Sequence, residues 1–153
     1  MPVANVGSKW VGGDLVFFDK ATGTDVLRIT TSTLGMVFET GEWIATSVDK
    51  VFFTATRKYR ARGLTARVTV AGTDAGAVTA VVRKVASGTA IGSGTLLHTG
   101  TINLKGTADT NQVLTLSTTA ADLELAAGDS LVLDFTGVLT GATGAVTANL
   151  IPV

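Results

Sequence analysis

Apolar residues recur along this chain in short runs, mostly at a period of two, and Gly, Thr and Asp clusters interrupt them before a helical period is established. Leu15-Val16-Phe17-Phe18 and Val26-Leu27-Arg28-Ile29 read as two strands. Between them, Asp19-Lys20-Ala21-Thr22-Gly23 has turn chemistry: Asp19 bonds its own backbone and Gly23 supplies a positive φ. Phe17 and Phe18 are adjacent, so in a strand they point to opposite faces, Leu15 siding with Phe17 and Val16 with Phe18. Both faces of the hairpin are then apolar. A hairpin alone is marginal in water, so this one is expected to be covered on one side by its own chain and on the other by something else.

From Asp49 onward the pattern is that of a complete β domain. Val51 to Arg62 reads as one long strand and Arg67 to Ala71 as another. Ala77 to Val85, Thr95 to Leu104, Val113 to Ser117 and Ala145 to Ile151 follow, separated by Gly-rich loops. Leu123, Leu125, Leu131, Leu133 and Phe135 suit a hairpin-like pair about Ala126-Ala127-Gly128-Asp129, and Thr118 to Asp122 suits a short helical turn. About eight short strands at this spacing indicate an all-β sandwich or barrel, with a jelly-roll or Greek-key path expected. The organisation read from this pattern is an N-terminal arm and β-hairpin over 1–48, with Met1 to Lys9 extended, and a β-sandwich (jelly-roll-like) domain over 49–153.

Composition narrows the function. Hydrophobic residues make up 46% of the chain, which excludes a mainly disordered protein. No apolar run approaches the ~20 residues of a membrane-spanning helix, and the first residues lack the charged and apolar regions of a secretory signal. With no cysteine there is neither disulfide nor thiolate chemistry. The 12 basic and 12 acidic residues balance, whereas broad nucleic-acid binding calls for a basic excess. A near-neutral chain has little colloidal repulsion and suits a protein that works packed against others.

Catalytic chemistry finds little support. His98 is the one histidine, in Leu96-Leu97-His98-Thr99, with no carboxylate or second histidine near it in sequence; it reads as a strand residue facing solvent or a neighbour. Gly92-Ser93-Gly94 reads as a loop and not a nucleophile elbow. Asp122, Glu124 and Asp129 read as a solvated turn, without calcium-loop spacing. No cofactor, metal or enzyme activity is expected. The charged feature of note is Arg57-Lys58-Tyr59-Arg60-Ala61-Arg62: in an extended chain Lys58, Arg60 and Arg62 share a face, either as a solvated strand face that protects an edge or as a docking patch for an acidic partner. Trp10, Leu15, Phe17, Phe18 and Trp43 are the candidates for contact with a partner surface or a neighbouring subunit, the aromatics dividing between core and interface.

The stretch Lys9-Trp10-Val11-Gly12-Gly13-Asp14-Leu15-Val16-Phe17-Phe18-Asp19-Lys20-Ala21-Thr22-Gly23 resembles the opening segment of tailed-bacteriophage head decoration and head-fibre proteins. Val51 to Tyr59 and Leu125 to Leu131 are similar to phage capsid modules. The resemblance implies a homotrimer on the outer surface of the phage head, made in the bacterial host cytoplasm, that clamps major capsid protein subunits at three-fold and quasi-three-fold positions. It implies no cofactor and no enzyme activity, and the balanced charge and short apolar runs leave no nucleic acid and no membrane among the expected partners. The arm and hairpin are expected to be the attachment and trimerisation unit. The alternative is a head-fibre or receptor- or glycan-binding β-module displayed on the virion.

Overall fold

The computed structural model describes residues 6–11, 14–29, 37–45 and 47–153, the side chains of Trp10, Asp14, Arg28 and Ile29 excepted. The chain is an all-β sandwich of two antiparallel sheets, preceded by a small third sheet.

That third sheet holds β1 (Val6–Val11), β2 (Asp14–Asp19) and β3 (Asp25–Ile29) in the order β1-β2-β3. The hairpin expected from the sequence is β2–β3. Its turn closes with the Gly23 N–H donating to the Asp19 carbonyl at 2.7 Å, the Asp19 carboxylate accepting from the Ala21 N–H, and Gly23 at φ 71°. A bulge falls between Phe17 and Phe18. The sequence reading placed residues through Lys9 in an extended arm. Val6 to Val11 instead pair with β2 in full register, because the alternating β2 strand has a free edge that a third strand satisfies. Residues 1–5 of that arm lie outside the described residues.

The first sandwich sheet, sheet I, has the order β10 (Asn111–Val113), β6 (Tyr59–Val70), β13 (Thr143–Pro152), β4 (Val37–Trp43), with β11 (Glu124–Leu125) also on β6. Sheet II has the order β5 (Lys50–Thr54), β12 (Ser130–Thr136), β7 (Thr79–Val85), β8 (Thr95–Leu96), with β9 (Ile102–Asn103) also on β7. The pairing is nested: β4 with β13, β5 with β12, β6 with β11 and β10, β7 with β9 and β8. The chain runs out from β4 to β7 and returns alongside itself. Small residues of sheet I (Ala61, Ala66, Ala148) meet large ones of sheet II (Leu131, Leu133, Val82) in one core, a pairing that fills the space between two sheets ~10 Å apart.

Four expectations need correction. The domain does not begin at Asp49: β4 pairs with β13 from Val37 to Trp43, so the sandwich takes in residues assigned to the N-terminal region. Val51 to Arg62 is not one strand. It breaks at Ala55 to Lys58 and crosses from sheet II to sheet I, the Ala55 N–H donating to the Asp129 carbonyl and its carbonyl accepting from Gly128. Arg67 to Ala71 is not separate either, since β6 runs through to Val70 past a bulge opposite Asn149 and Leu150. Leu123–Leu125 and Leu131–Phe135 do not pair; β11 lies on β6 and β12 on β5 and β7, so the turn between them is a corner joining the two sheets. The helical turn at Thr118 to Asp122 is present as a 3-10 turn over Ala120–Leu123.

Candidate functional site

The third sheet carries apolar residues on both of its faces. Phe18 lies flat over Gly7, where a Cβ would sit 2.6 Å from the ring; only glycine admits that approach. Lys9 Nζ stands 4.9 Å from the centre of the same ring and 3.9 Å from the Asp25 carboxylate, bridging the strands on that face. Val16, on the same face, is fully buried but is not part of the sandwich core. On the opposite face the register sets Ser8, Phe17 and Leu27 across from one another, with Leu15 two residues before Phe17 on the same side of β2. Leu15, Phe17 and Phe18 are half-buried, while Leu27 is 54% and Val26 65% exposed, with Val6 and Val11 also exposed. Val26 and Leu27 carry apolar area that sequence reasoning did not single out; their place in the second strand of an apolar hairpin was the available signal.

The other candidates fall elsewhere. Trp43 sits in the sandwich core at 1% exposure, edge-on to Phe135 at 6.4 Å, so its indole is core and not contact surface. The Trp10 backbone pairs with Leu15, and its side chain is outside the described residues. Lys58, Arg60 and Arg62 do not form one uniform basic face. Lys58 precedes β6 and pairs with Glu124 at 2.9 Å, holding that carboxyl below its ordinary pKa. Arg60 is half-buried with Nε unpartnered, and Arg62 is exposed beside the bulge. The Arg57 guanidinium lies over the Tyr59 ring, 5.5 Å from its centre, and its proximity to the hydroxyl lowers the tyrosine pKa. Arg67, not among the candidates, lies further along the same strand, held by Asp109 and Asn111.

His98 is buried. Its Nε2 accepts the Val82 N–H at 2.9 Å, and Nδ1 lies 3.2 Å from the Thr99 carbonyl. Burial lowers its pKa. The neutral ring thus serves the main chain. Among the described residues no three His, Asp or Glu side chains converge as a metal site, and no helix is long and apolar enough to cross a membrane. The concavities are open surface features: one of about 250 Å³ is lined by Glu42, Trp43, Ile44, Thr69 and Thr143 to Ala145, and one of about 290 Å³ by Ile44 and Ser47 to Lys50. No protein-family model and no curated protein sequence matches the chain.

Proposed function

We propose that the chain is a structural protein of a tailed-phage virion, binding the outer surface of the head as a homotrimer and stabilising the shell at three-fold and quasi-three-fold positions. The observation that carries this reading is the separate N-terminal sheet, whose Val26, Leu27, Val6 and Val11 are exposed although the sandwich has a closed core of its own. A sheet of three short strands is marginal by itself, and exposed apolar residues clustered on it suit the buried part of a contact with a shell. The resemblance of Lys9 to Gly23 to decoration proteins falls on this same sheet. The nested strand order supports a jelly-roll path, an architecture used in capsid proteins and in lectins alike. Three linked copies add weak contacts through avidity.

The glycan-binding alternative is less favoured, because Tyr59 and Trp43 are buried and not available for stacking on a sugar. Co-sedimentation with purified heads of the phage that encodes the chain tests the proposal. The expected result is saturable binding in multiples of three, lost in a Phe17→Ser/Phe18→Ser variant. Recovery of the wild-type chain entirely in the supernatant would overturn it.

A further inference from the structure

The edge of the sandwich that holds β8 and β10 is closed by a run of hydrogen bonds passing from one sheet to the other. The Leu97 N–H donates to the Val82 carbonyl of β7. On its other side the same segment meets residues 115–117: the Thr99 N–H donates to the Thr115 carbonyl, the Ser117 N–H to the Leu97 carbonyl, and His98 bridges Leu116. One residue before Thr115, the Leu114 N–H donates to the Leu64 carbonyl of β6. The path from sheet II to sheet I thus runs through Leu97 to Thr99. The flanking strands are short, two residues each in β8 and β9, so few other ladder bonds hold this segment to β7. Leu97, Ile102 and Leu104, all without exposure, belong to the core it closes.

One bond on this path is made by a side chain. The His98 ring, 2% exposed, accepts the Val82 N–H at Nε2 over 2.9 Å, with Nδ1 beside the Thr99 carbonyl. An imidazole can accept there only while neutral; once protonated, both of its nitrogens are donors. The charged groups of the surrounding elements are engaged elsewhere. Arg83 is held by Asp134 and the Gly94 carbonyl, and Lys84 by the carbonyls of Ala121 and Glu124. Asp122 accepts from the Ser117 hydroxyl, Lys105 donates to the carbonyls of Asp74 and Gly76, Arg67 pairs with Asp109, and Arg62 is exposed. Only burial and the Thr99 carbonyl act on the titration of the ring.

We infer that His98 is an acid-sensitive latch: a proton on Nε2 sets donor against donor at Val82 and releases residues 95–104 and 115–117 from the edge of β7, while β6, β12 and β13 keep their pairing. Burial holds the pKa of the closed ring below its ordinary value, so the opened form takes up the proton first. Opening is unaided above about pH 6.5 and is favoured as the pH falls below it, about tenfold for each unit between the two pKa values once both are passed. The consequence is local, and so differs from a loss of global stability.

Hydrogen exchange of the full chain at pH 7.5 and pH 5, expressed as protection relative to an unstructured chain, tests the latch. The Val82, Leu97, Thr99 and Ser117 amides are expected to lose at least ~10-fold more protection at pH 5 than those of β6 and β13. His98→Gln, whose amide oxygen accepts but does not titrate, is expected to abolish the difference, and His98→Ala to be open at both pH values. An equal loss of protection in every strand overturns the latch, and so does the same local loss in His98→Gln. An NMR titration of the wild-type ring provides a check that needs no variant: a ring that stays neutral down to pH 4 overturns it too.

Discussion

The Val82 amide donates to the ring of His98, closing a gap in the edge of sheet II. β7 pairs with β8 at Arg83 and with β9 at Ala80, and between them the main chain bulges away. The Leu97 N–H reaches the Val82 carbonyl, and Nε2 of His98 accepts the Val82 N–H at 2.9 Å. An accepting Nε2 places the ring proton on Nδ1, beside the Thr99 carbonyl. Protonation would take the acceptor away. Burial lowers the pKa of the folded ring, so the unfolded chain takes up the proton first. The contribution of His98 is complete above about pH 6.5 and is lost as the pH falls below it. The urea midpoint is therefore expected to drop from pH 7.5 to pH 5, and His98→Gln, whose amide oxygen still accepts, to flatten that part of the profile. His98→Ala leaves a buried donor unmet and costs about 1–3 kcal/mol at pH 7.5.

Arg83 and Asp134 form a 2.6 Å ion pair with both side chains about one-fifth exposed, at 21% and 18%. The same guanidinium holds the Gly94 carbonyl and so keeps the loop that carries the 3-10 turn Ile91–Ser93 against β7 and β12. Arg83→Gln is expected to cost about 2 kcal/mol, in the range of a charged hydrogen bond with partial burial. Hydrogen exchange is expected to quicken across residues 86–94 while the core strands stay protected. Uniform acceleration through the whole sandwich would show that the pair supports global stability instead.

Trp43 is part of the core and touches Phe135 edge-on. Trp43→Ala removes the largest buried side chain, and a loss of about 3–5 kcal/mol is expected in denaturant unfolding followed by circular dichroism. A loss below about 1 kcal/mol, the level of a surface change, would contradict the burial found for this residue.

Every member of the sandwich core cluster lies at Trp43 or beyond. A chain starting at residue 37 is therefore expected to unfold cooperatively with a Tm within about 5 °C of the full chain, the shift of roughly 1 kcal/mol in a domain of this size. Loss of cooperative unfolding would mean that the third sheet belongs to the same folding unit.

Gly7→Val puts a side chain where the Phe18 ring lies. It is expected to displace that ring and abolish head binding while leaving the thermal transition of the sandwich in place. Unchanged head binding would remove the β1–β2 face from the attachment site.

Periodicity alone determined the class of this protein. The period-two runs, the turn at Asp19 to Gly23 and the 3-10 turn before Leu125 are local: each depends on residues a few positions apart, and each is present in the structure. The apolar character of both faces of the β2 strand was legible for the same reason, and Val16, Phe17 and Phe18 lie where alternation puts them. Sheet membership was decided only by tertiary structure. A strand that leaves one sheet for the other at Ala55 to Lys58 keeps the same residue types as a strand that continues, because both sheets offer the same apolar core. Leu125 and Leu131 flank a turn in sequence yet pair with different sheets, since the nested return of the chain takes them to different partners. The role of His98 was hidden likewise: its partner, the Val82 amide, is sixteen residues away and becomes available only where β8 and β9 part. Charge followed the same rule, with Lys58 drawn to Glu124 and Glu42 set across β13 from Arg67 by a register that no single strand encodes.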